Sequence, residues 1–183
     1  MKLMKLYLAR HGETDWNVKN LYQGQTDIPL NENGRRQAED LALKLKDYPL
    51  DAIFSSDLKR AYETAEIVGT YHDLKIQKSS LLREKSFGEM EGKLKDEVLR
   101  AHPKYFLPEG GVDWAYTLPG GESWDEVWKR IKRFFDNLKQ QELRNVLVVG
   151  HGGAIRTFLR QQRNIPKGQR MMIKNCELIE EEI

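Results

Sequence analysis

Two histidines share one setting in this sequence. In Leu8-Ala9-Arg10-His11-Gly12 and in Val149-Gly150-His151-Gly152-Gly153, an apolar run of strand character ends and a histidine then stands against glycine. In open α/β sheets, ligands bind beyond the carboxyl ends of the strands. Both imidazoles are therefore expected on one rim of a sheet, where the flanking glycines let backbone and ligand approach closely. One such histidine would read as a strand-end cap that satisfies local polar groups. Two at matching strand ends, with Arg10 beside the first, read as functional, because perturbed ionisable groups cluster at active sites.

The charges around the histidines indicate the ligand. Arg10 precedes His11, and Arg60 falls in the first turn of a helix that follows the short apolar run Ala52-Ile53-Phe54. Helix N-termini carry unpaired N–H groups and partial positive charge, and so attract anions. Guanidinium forks match phosphate oxygens two at a time. Two arginines and two imidazoles around one rim would make a pocket for a phosphoryl group, with Asn17, Gln23 and Gly24 as neutral donors. Taken alone, Arg60 would read as a solvated helix charge like Lys59. The chain has no phosphate loop of the Gly-x-x-x-x-Gly-Lys-Ser/Thr type and no Gly-x-Gly-x-x-Gly after a strand. It also lacks a Gly-x-Ser-x-Gly elbow. A metal hydrolase with His11 and His151 as ligands is conceivable. It is disfavoured by Arg10, which would repel a cation, and by the lack of a His-Glu-x-x-His or cysteine-pair pattern. Cys176 reads as structural.

Elements of two periods must hold these residues. Leu3–Ala9, Ala52–Phe54 and Asn145–Val149 read as strands buried on both faces, with weaker candidates at Lys75–Lys78 and Met171–Leu178. Between them lie amphipathic helices. Gln37–Lys46 carries Ala38, Leu41, Ala42 and Leu45 on one face. A second helix places Leu58, Ala61, Ala65 and Val68 together, with Ser56 as its N-cap. The longest starts at Ser123, where Glu126 completes a capping box; Trp124, Val127, Trp128, Ile131, Phe135 and Leu138 form its apolar face. The last, Ala154–Gln162, buries Ile155, Phe158 and Leu159. Strands alternating with helices imply an α/β sandwich with a mostly parallel sheet. The interval Lys93–Pro119 is irregular: it carries Pro103, Pro108, Pro119, the pair Gly110-Gly111 and the aromatics Tyr105, Phe106, Trp114 and Tyr116. It reads as an insertion over one end of the sheet, a lid or substrate wall. Glu180-Glu181-Glu182 reads as a solvated tail.

Composition narrows the class. A chain of 183 residues and 21.4 kDa is expected to form one domain over 1–183. Thirty basic and 28 acidic side chains leave a formal charge of +2, which argues against a nucleic-acid partner bound through a basic stripe. The longest apolar runs, Leu6–Ala9 and Val146–Val149, are far short of the ~20 residues that cross a membrane. No signal-peptide stretch is legible, and one cysteine excludes an internal disulfide framework. A cytoplasmic protein, monomeric or homodimeric, is expected.

The order of the motifs adds a resemblance. Arg10-His11-Gly12-Glu13-Thr14-Asp15-Trp16-Asn17, followed by Gln23-Gly24, Asp27-Ile28-Pro29-Leu30-Asn31, Gly34 and Gln37-Ala38, is the first block. Ser55-Ser56-Asp57-Leu58-Lys59-Arg60-Ala61 with Thr64-Ala65 is the second, and Leu82-Arg83-Glu84 with Phe87-Gly88-Glu89-Met90-Glu91-Gly92 the third. Pro119-Gly120-Gly121-Glu122-Ser123 and Val149-Gly150-His151-Gly152-Gly153 complete the series. Together these closely resemble the histidine phosphatase superfamily, with its phosphoglycerate-mutase-like, three-layer α/β/α fold. The resemblance implies that His11 is the nucleophile, phosphorylated in a covalent intermediate. It implies that Arg10, Arg60 and His151 complete the phosphate pocket, with Asn17, Gln23, Gly24 and Gly152 as further binding residues, and that Glu84 is the general acid. It implies no metal and no cofactor.

Elementary chemistry agrees with those roles. A neutral imidazole can attack phosphorus and an imidazolium cannot; cations around His11 should lower its pKa, and a backbone carbonyl is expected to fix its tautomer. Hydrolysis split into two transfers is easier than one. By type alone Glu84 reads as a surface carboxylate; the motif reverses that reading. Arg83 and Lys85 could oppose its action, depending on where they point. The short chain and Phe87-Gly88-Glu89-Met90-Glu91-Gly92 look closer to the phosphatase branches, such as broad-specificity phosphomonoesterases, α-ribazole phosphatase and phosphoserine phosphatase, than to the mutases. Phosphoglycerate mutase is the first alternative, and a catalytically silent phosphate-ligand binder the second. The aromatics of Lys93–Pro119 suggest that a leaving group packs on apolar surface.

Overall fold

The computed structural model describes residues 3–108, 111–166, 169 and 171–183; Gly110 of the Gly110-Gly111 pair lies outside them. Five strands form one sheet: β1 (Lys5–Arg10), β2 (Ala52–Ser56), β3 (Ile76–Ser79), β4 (Asn145–Gly150) and β5 (Leu178–Glu182). The helices are α1 (Asp15–Val18), α2 (Glu32–Leu45), α3 (Lys59–Gly69), α4 (Lys95–Ala101), α5 (Trp124–Leu138) and α6 (Gly152–Gln162). The strand order is β3-β2-β4-β1-β5, parallel except that β5 runs antiparallel to β1.

Alternation along the strands builds two cores. Leu6, Leu8, Phe54, Val146 and Val148 face α5 and α6, where Phe135 and Phe158 stack with centroids 3.9 Å apart. Tyr7, Ala9, Ile53, Leu147 and Val149 face the other way, onto Leu41, Ala42 and Leu45 of α2 and Ala61, Ala65 and Val68 of α3. The product is a three-layer α/β/α sandwich. Side chains of period 2 on strands and period 3.6 on helices permit this arrangement because each apolar face finds a partner. Among the described residues no helix is long and apolar enough to cross a membrane.

Several boundaries differ from the sequence expectation, for local reasons. Helix α2 begins at Glu32, because Asn31 accepts the Gly34 N–H through its side chain at 2.8 Å and caps the helix there. Ser56 is not the N-cap of α3. That position is held by Leu58, which has no capping side chain; Ser56 accepts the Leu58 N–H, and Asp27, remote in sequence, accepts that of Lys59 at 2.7 Å. The capping box at Ser123 and Glu126 is formed. In α5, Phe134 joins the core and Trp128 is half-buried. The interval Lys93–Pro119 is less irregular than its composition suggested: it holds α4 and a 3₁₀ turn at Pro103–Tyr105. Its Val98, Tyr105 and Leu118 form a small apolar cluster with Tyr22, Phe87 and Met90. Met171–Leu178 is not a strand, and Glu180-Glu181-Glu182 is not a solvated tail. The strand begins at Leu178 and pairs Glu180, Glu181 and Glu182 with Tyr7, Leu6 and Lys5. An edge strand tolerates, and is protected by, outward charges.

Candidate active site

The register of β1 and β4 sets the geometry. Ala9 pairs with Val149 and Arg10 with Gly150, so two adjacent parallel strands end at the same level. The next residues, His11 and His151, then meet: their ring centroids are 5.2 Å apart at an interplanar angle of 58°. The His11 N–H donates to Gly150 O at 2.9 Å, and Asn175 Nδ2 donates to His11 O at 2.9 Å. His11 is 3% exposed and His151 fully buried.

Each imidazole has a distinct environment. His11 Nδ1 lies 2.7 Å from Gly12 O. That carbonyl can only accept, so Nδ1 carries the proton and Nε2 keeps a free lone pair. Burial, foremost, and then the charges of Arg60 and Arg10 hold the His11 pKa well below its ordinary value. The His151 pKa is held well below too, by burial and then by Arg60 and His11. Neither His151 ring nitrogen has a protein partner.

The two arginines are fixed by carbonyls. Arg60, fully buried, donates from Nη1 to Thr26 O at 2.9 Å and from Nη2 to Gly24 O at 2.7 Å. Burial pushes its pKa down to about 10, which leaves it charged at neutral pH. Arg10 Nη1 donates to Ile173 O at 2.7 Å. The Nε–H of each arginine is buried without a protein partner. Thr64 links the elements: its hydroxyl accepts from Gly12 N and donates to Arg60 O.

Glu84 stands opposite, on the chain that follows a 3₁₀ turn at Ser80–Leu82. Its carboxylate accepts the N–H of Gly153 at 2.8 Å, of Ala154 at 3.2 Å and of Lys85 at 2.8 Å. The first two belong to the N-terminus of α6, where unpaired N–H groups favour an anion. Gly153 is required here, because a Cβ would overlap Glu84 Oε1 and stand 3.0 Å from its carboxyl carbon. The flanking cations have partners of their own: Arg83 holds Asp57 with two bonds of 2.8 and 2.6 Å, and Lys85 Nζ donates to the carbonyls of Ser86 and Glu122.

These groups border a cavity of about 300 Å³. Arg10, His11, Asn17, Gln23, Gly24, Arg60, Glu84 and Gly152 line it; His151 packs against the His11 ring without lining it. Asn17 accepts the Thr14 N–H through Oδ1 at 3.1 Å. Gln23 Oε1 is buried without a protein partner. Sequence reasoning missed Tyr22, Lys95, Trp124 and Arg156, which also line the cavity. Arg156 follows Gly152 by one helical turn, a spacing that puts both on one face of α6 and could have flagged it. Trp124 gave no signal beyond core character, yet its Nε1–H lacks a protein partner. Of the aromatics in Lys93–Pro119, Tyr105 lines the cavity, whereas Trp114 stacks on Trp124 at 4.7 Å. Among the described residues, no group of three or more His, Cys, Asp or Glu is placed to hold a metal ion.

Comparison with known proteins places the chain. The family model of the histidine phosphatase superfamily (branch 1) matches residues 6–183. Phosphoserine phosphatase 1 of Hydrogenobacter thermophilus is 35% identical over 150 residues, 81% of this chain and 71% of that protein. The 2,3-bisphosphoglycerate-dependent phosphoglycerate mutase of Cytophaga hutchinsonii is 33% identical over 159 residues, 84% of this chain and 75% of that one. The solved structure of mycobacterial glucosyl-3-phosphoglycerate phosphatase in complex with VO3 superposes with a TM-score of 0.86. It is 29% identical and covers 97% of this chain and 92% of that one. The chain belongs to the histidine phosphatase superfamily, and it is an enzyme of the phosphatase and phosphoglycerate-mutase-like type.

Proposed function

We propose that this protein hydrolyses small phosphomonoesters through a phosphohistidine on His11, without a metal. The observation that carries the reading is the pairing of two buried, neutral imidazoles at one sheet rim with two arginines whose Nε–H groups have no protein partner. In the first transfer His11 Nε2 attacks phosphorus and the bond from phosphorus to the ester oxygen breaks. The leaving oxygen takes a proton from the Glu84 carboxyl. In the second transfer water attacks the phosphohistidine, Glu84 takes the water's proton, and the phosphorus–nitrogen bond breaks to restore neutral His11. Arg10, Arg60 and His151 stabilise the charge on the equatorial oxygens, and Asn17, Gln23, Gly24 and Gly152 border the bound phosphoryl group.

The rest of the cavity shapes the leaving-group side. The segment Lys93–Pro119 serves as a substrate wall, through Lys95, Tyr105 and Val112. Lys95 and Arg156 add two cations beyond the phosphate clamp, and burial followed by the charges of Arg10 and Arg156 lowers the Lys95 pKa. Trp124 Nε1–H offers a donor. These features favour leaving groups that present apolar surface together with a further negative charge. Phosphoglycerate mutase activity is the second reading, favoured by the mutase among the relatives.

The test is hydrolysis of p-nitrophenyl phosphate by wild type and His11→Ala, with and without a chelator, and trapping of acid-labile, base-stable phosphate on the protein. The reading expects activity that is indifferent to chelator, lost in His11→Ala, and accompanied by trapped phosphate. Activity that survives in His11→Ala, or that vanishes with chelator, would sink it. A panel of phosphomonoesters then separates hydrolysis from mutase transfer; preference for the smallest uncharged leaving groups would refute the account of the wall.

A further inference from the structure

Glu84 lies in no helix or strand, so something else must hold its backbone. Three hydrogen bonds from one side chain do so. Arg130, on α5, donates from Nη1 to Leu81 O at 3.0 Å and to Arg83 O at 2.6 Å. From Nη2 it donates to Glu84 O at 2.9 Å. Its remaining donors reach Glu122: Nε to Oε1 at 2.8 Å and Nη2 to Oε2 at 2.9 Å. Glu122 in turn accepts the Ser86 N–H at 2.8 Å. Gln25 Nε2 bridges Glu84 O at 3.2 Å and Glu122 Oε2 at 3.3 Å. The planar fork of arginine is suited to several acceptors at fixed angles, and lysine is not. Arg130 and Glu122 are both mostly buried, with side-chain exposures of 15% and 22%, so these charge-assisted bonds are only partly screened.

We infer that Arg130, oriented by Glu122, is the positioning residue that aims the Glu84 carboxyl at the leaving oxygen. The inference rests on the phosphohistidine reading and extends it. Arg130 touches no reacting atom; it grips the carbonyls of Leu81, Arg83 and Glu84. On the far side, Glu84 meets the α6 N-terminus through its carboxylate. The acid is therefore clamped between two helices, α5 by its backbone and α6 by its side chain. Loosening the backbone clamp displaces the carboxyl and leaves His11, Arg10 and Arg60 where they are, because none of the Arg130 bonds reaches them.

The role predicts a dependence on the leaving group. An alkyl ester needs its oxygen protonated and p-nitrophenolate does not. General acid assistance is worth roughly 10²–10⁴-fold, and a misplacement of about 1 Å costs on the order of 10²-fold. Arg130→Met should lower kcat/KM for an alkyl phosphate such as glycerol phosphate by about 10²-fold. The ratio of p-nitrophenyl phosphate to alkyl phosphate activity should widen at least ~10-fold, with Arg130→Lys and Glu122→Gln showing the same trend more weakly. In a Glu84→Gln background, Arg130→Met should add at most about a 2-fold loss to the alkyl ester, since groups acting as one unit are not additive. Equal losses for both esters, or an undiminished loss in the Glu84→Gln background, would overturn the inference; Glu122→Gln and Arg130→Lys carry the test if Arg130→Met does not fold. Trapped phosphohistidine on wild type tells the two levels apart. Its absence overturns the phosphohistidine reading and this inference with it, whereas its presence with an unchanged ester ratio removes only the role of Arg130.

Discussion

Lowering the pH from 7.5 to 5.5 should destabilise this protein through the same two imidazoles that make its site. Both rings are buried, and both are held neutral by burial and by Arg60 and Arg10. In the unfolded chain each returns to a pKa of about 6.5 and takes up a proton that the native state does not. The folded pKa values are depressed, so this contribution is complete above about pH 6.5 and is lost as pH falls below it. One ring excluded from protonation costs about 1.4 kcal/mol between the two pH values, and two rings about 2.7 kcal/mol. Partial protonation of the native state would reduce the figure, which is thus a ceiling. Asp57, Glu122 and Glu126 also have lowered pKa values, but these carboxyls act at more acid pH and leave the window to the imidazoles. The assay is urea unfolding followed by tryptophan fluorescence. With a slope of about 2 kcal/mol/M, the midpoint should drop by about 1.4 M in wild type. It should drop far less in the double variant His11→Gln/His151→Gln. An equal drop in both proteins would refute the reasoning, and with it the claim that His11 is kept neutral for attack on phosphorus.

Three further outcomes are expected. Gly153→Ala should lower kcat on an alkyl phosphate by roughly 10²-fold, because the added methyl displaces the Glu84 carboxyl; steady-state kinetics checks it. Arg60→Lys removes a buried Nε–H that has no protein partner and the paired grip on Gly24 O and Thr26 O, so on the proposed reading vanadate should inhibit about 10²-fold less tightly. Ser123→Ala breaks the capping box of α5 and should cost about 1 kcal/mol of stability in urea titration.

The convergence of His11 and His151 was legible because two apolar runs of parallel-strand character each end one or two residues before His-Gly, and parallel register does the rest. Helix α5 was legible for the same kind of reason, since Ser123, Glu126 and the apolar stripe agree. The C-terminal strand was not. Three consecutive glutamates signal solvent, and only the open edge of β1 turns them into a strand. The start of α3 was misplaced because its first N–H is capped by Asp27, across a separation no local pattern carries. Arg130 and Arg156 were missed for a related reason. An arginine on an amphipathic helix reads as solvated, and what distinguishes these two is the target that a long side chain reaches. For Arg130 that target lies 46 to 49 residues away.

The same long reach explains how a stable sandwich holds so many unsatisfied groups in one place. Among the described residues, the buried polar side-chain atoms without a protein partner are Arg10 Nε, Gln23 Oε1, Arg60 Nε, Trp124 Nε1, both nitrogens of His151, and His72 Nε2. All but the last belong to the candidate site. Leaving one such group unpaired costs about 1–3 kcal/mol, so their collection at a single rim is a concentrated instability. On the proposed reading a phosphoryl group is the complement, since its oxygens would accept from the two arginines and one His151 nitrogen, while the tryptophan would serve the leaving group. Donors already fixed by Gly24, Thr26 and Ile173 need no reorganisation when charge develops on those oxygens. The anchoring carbonyls that keep the arginines from relaxing onto other partners are thus the reason that the site is both costly to fold and ready to act.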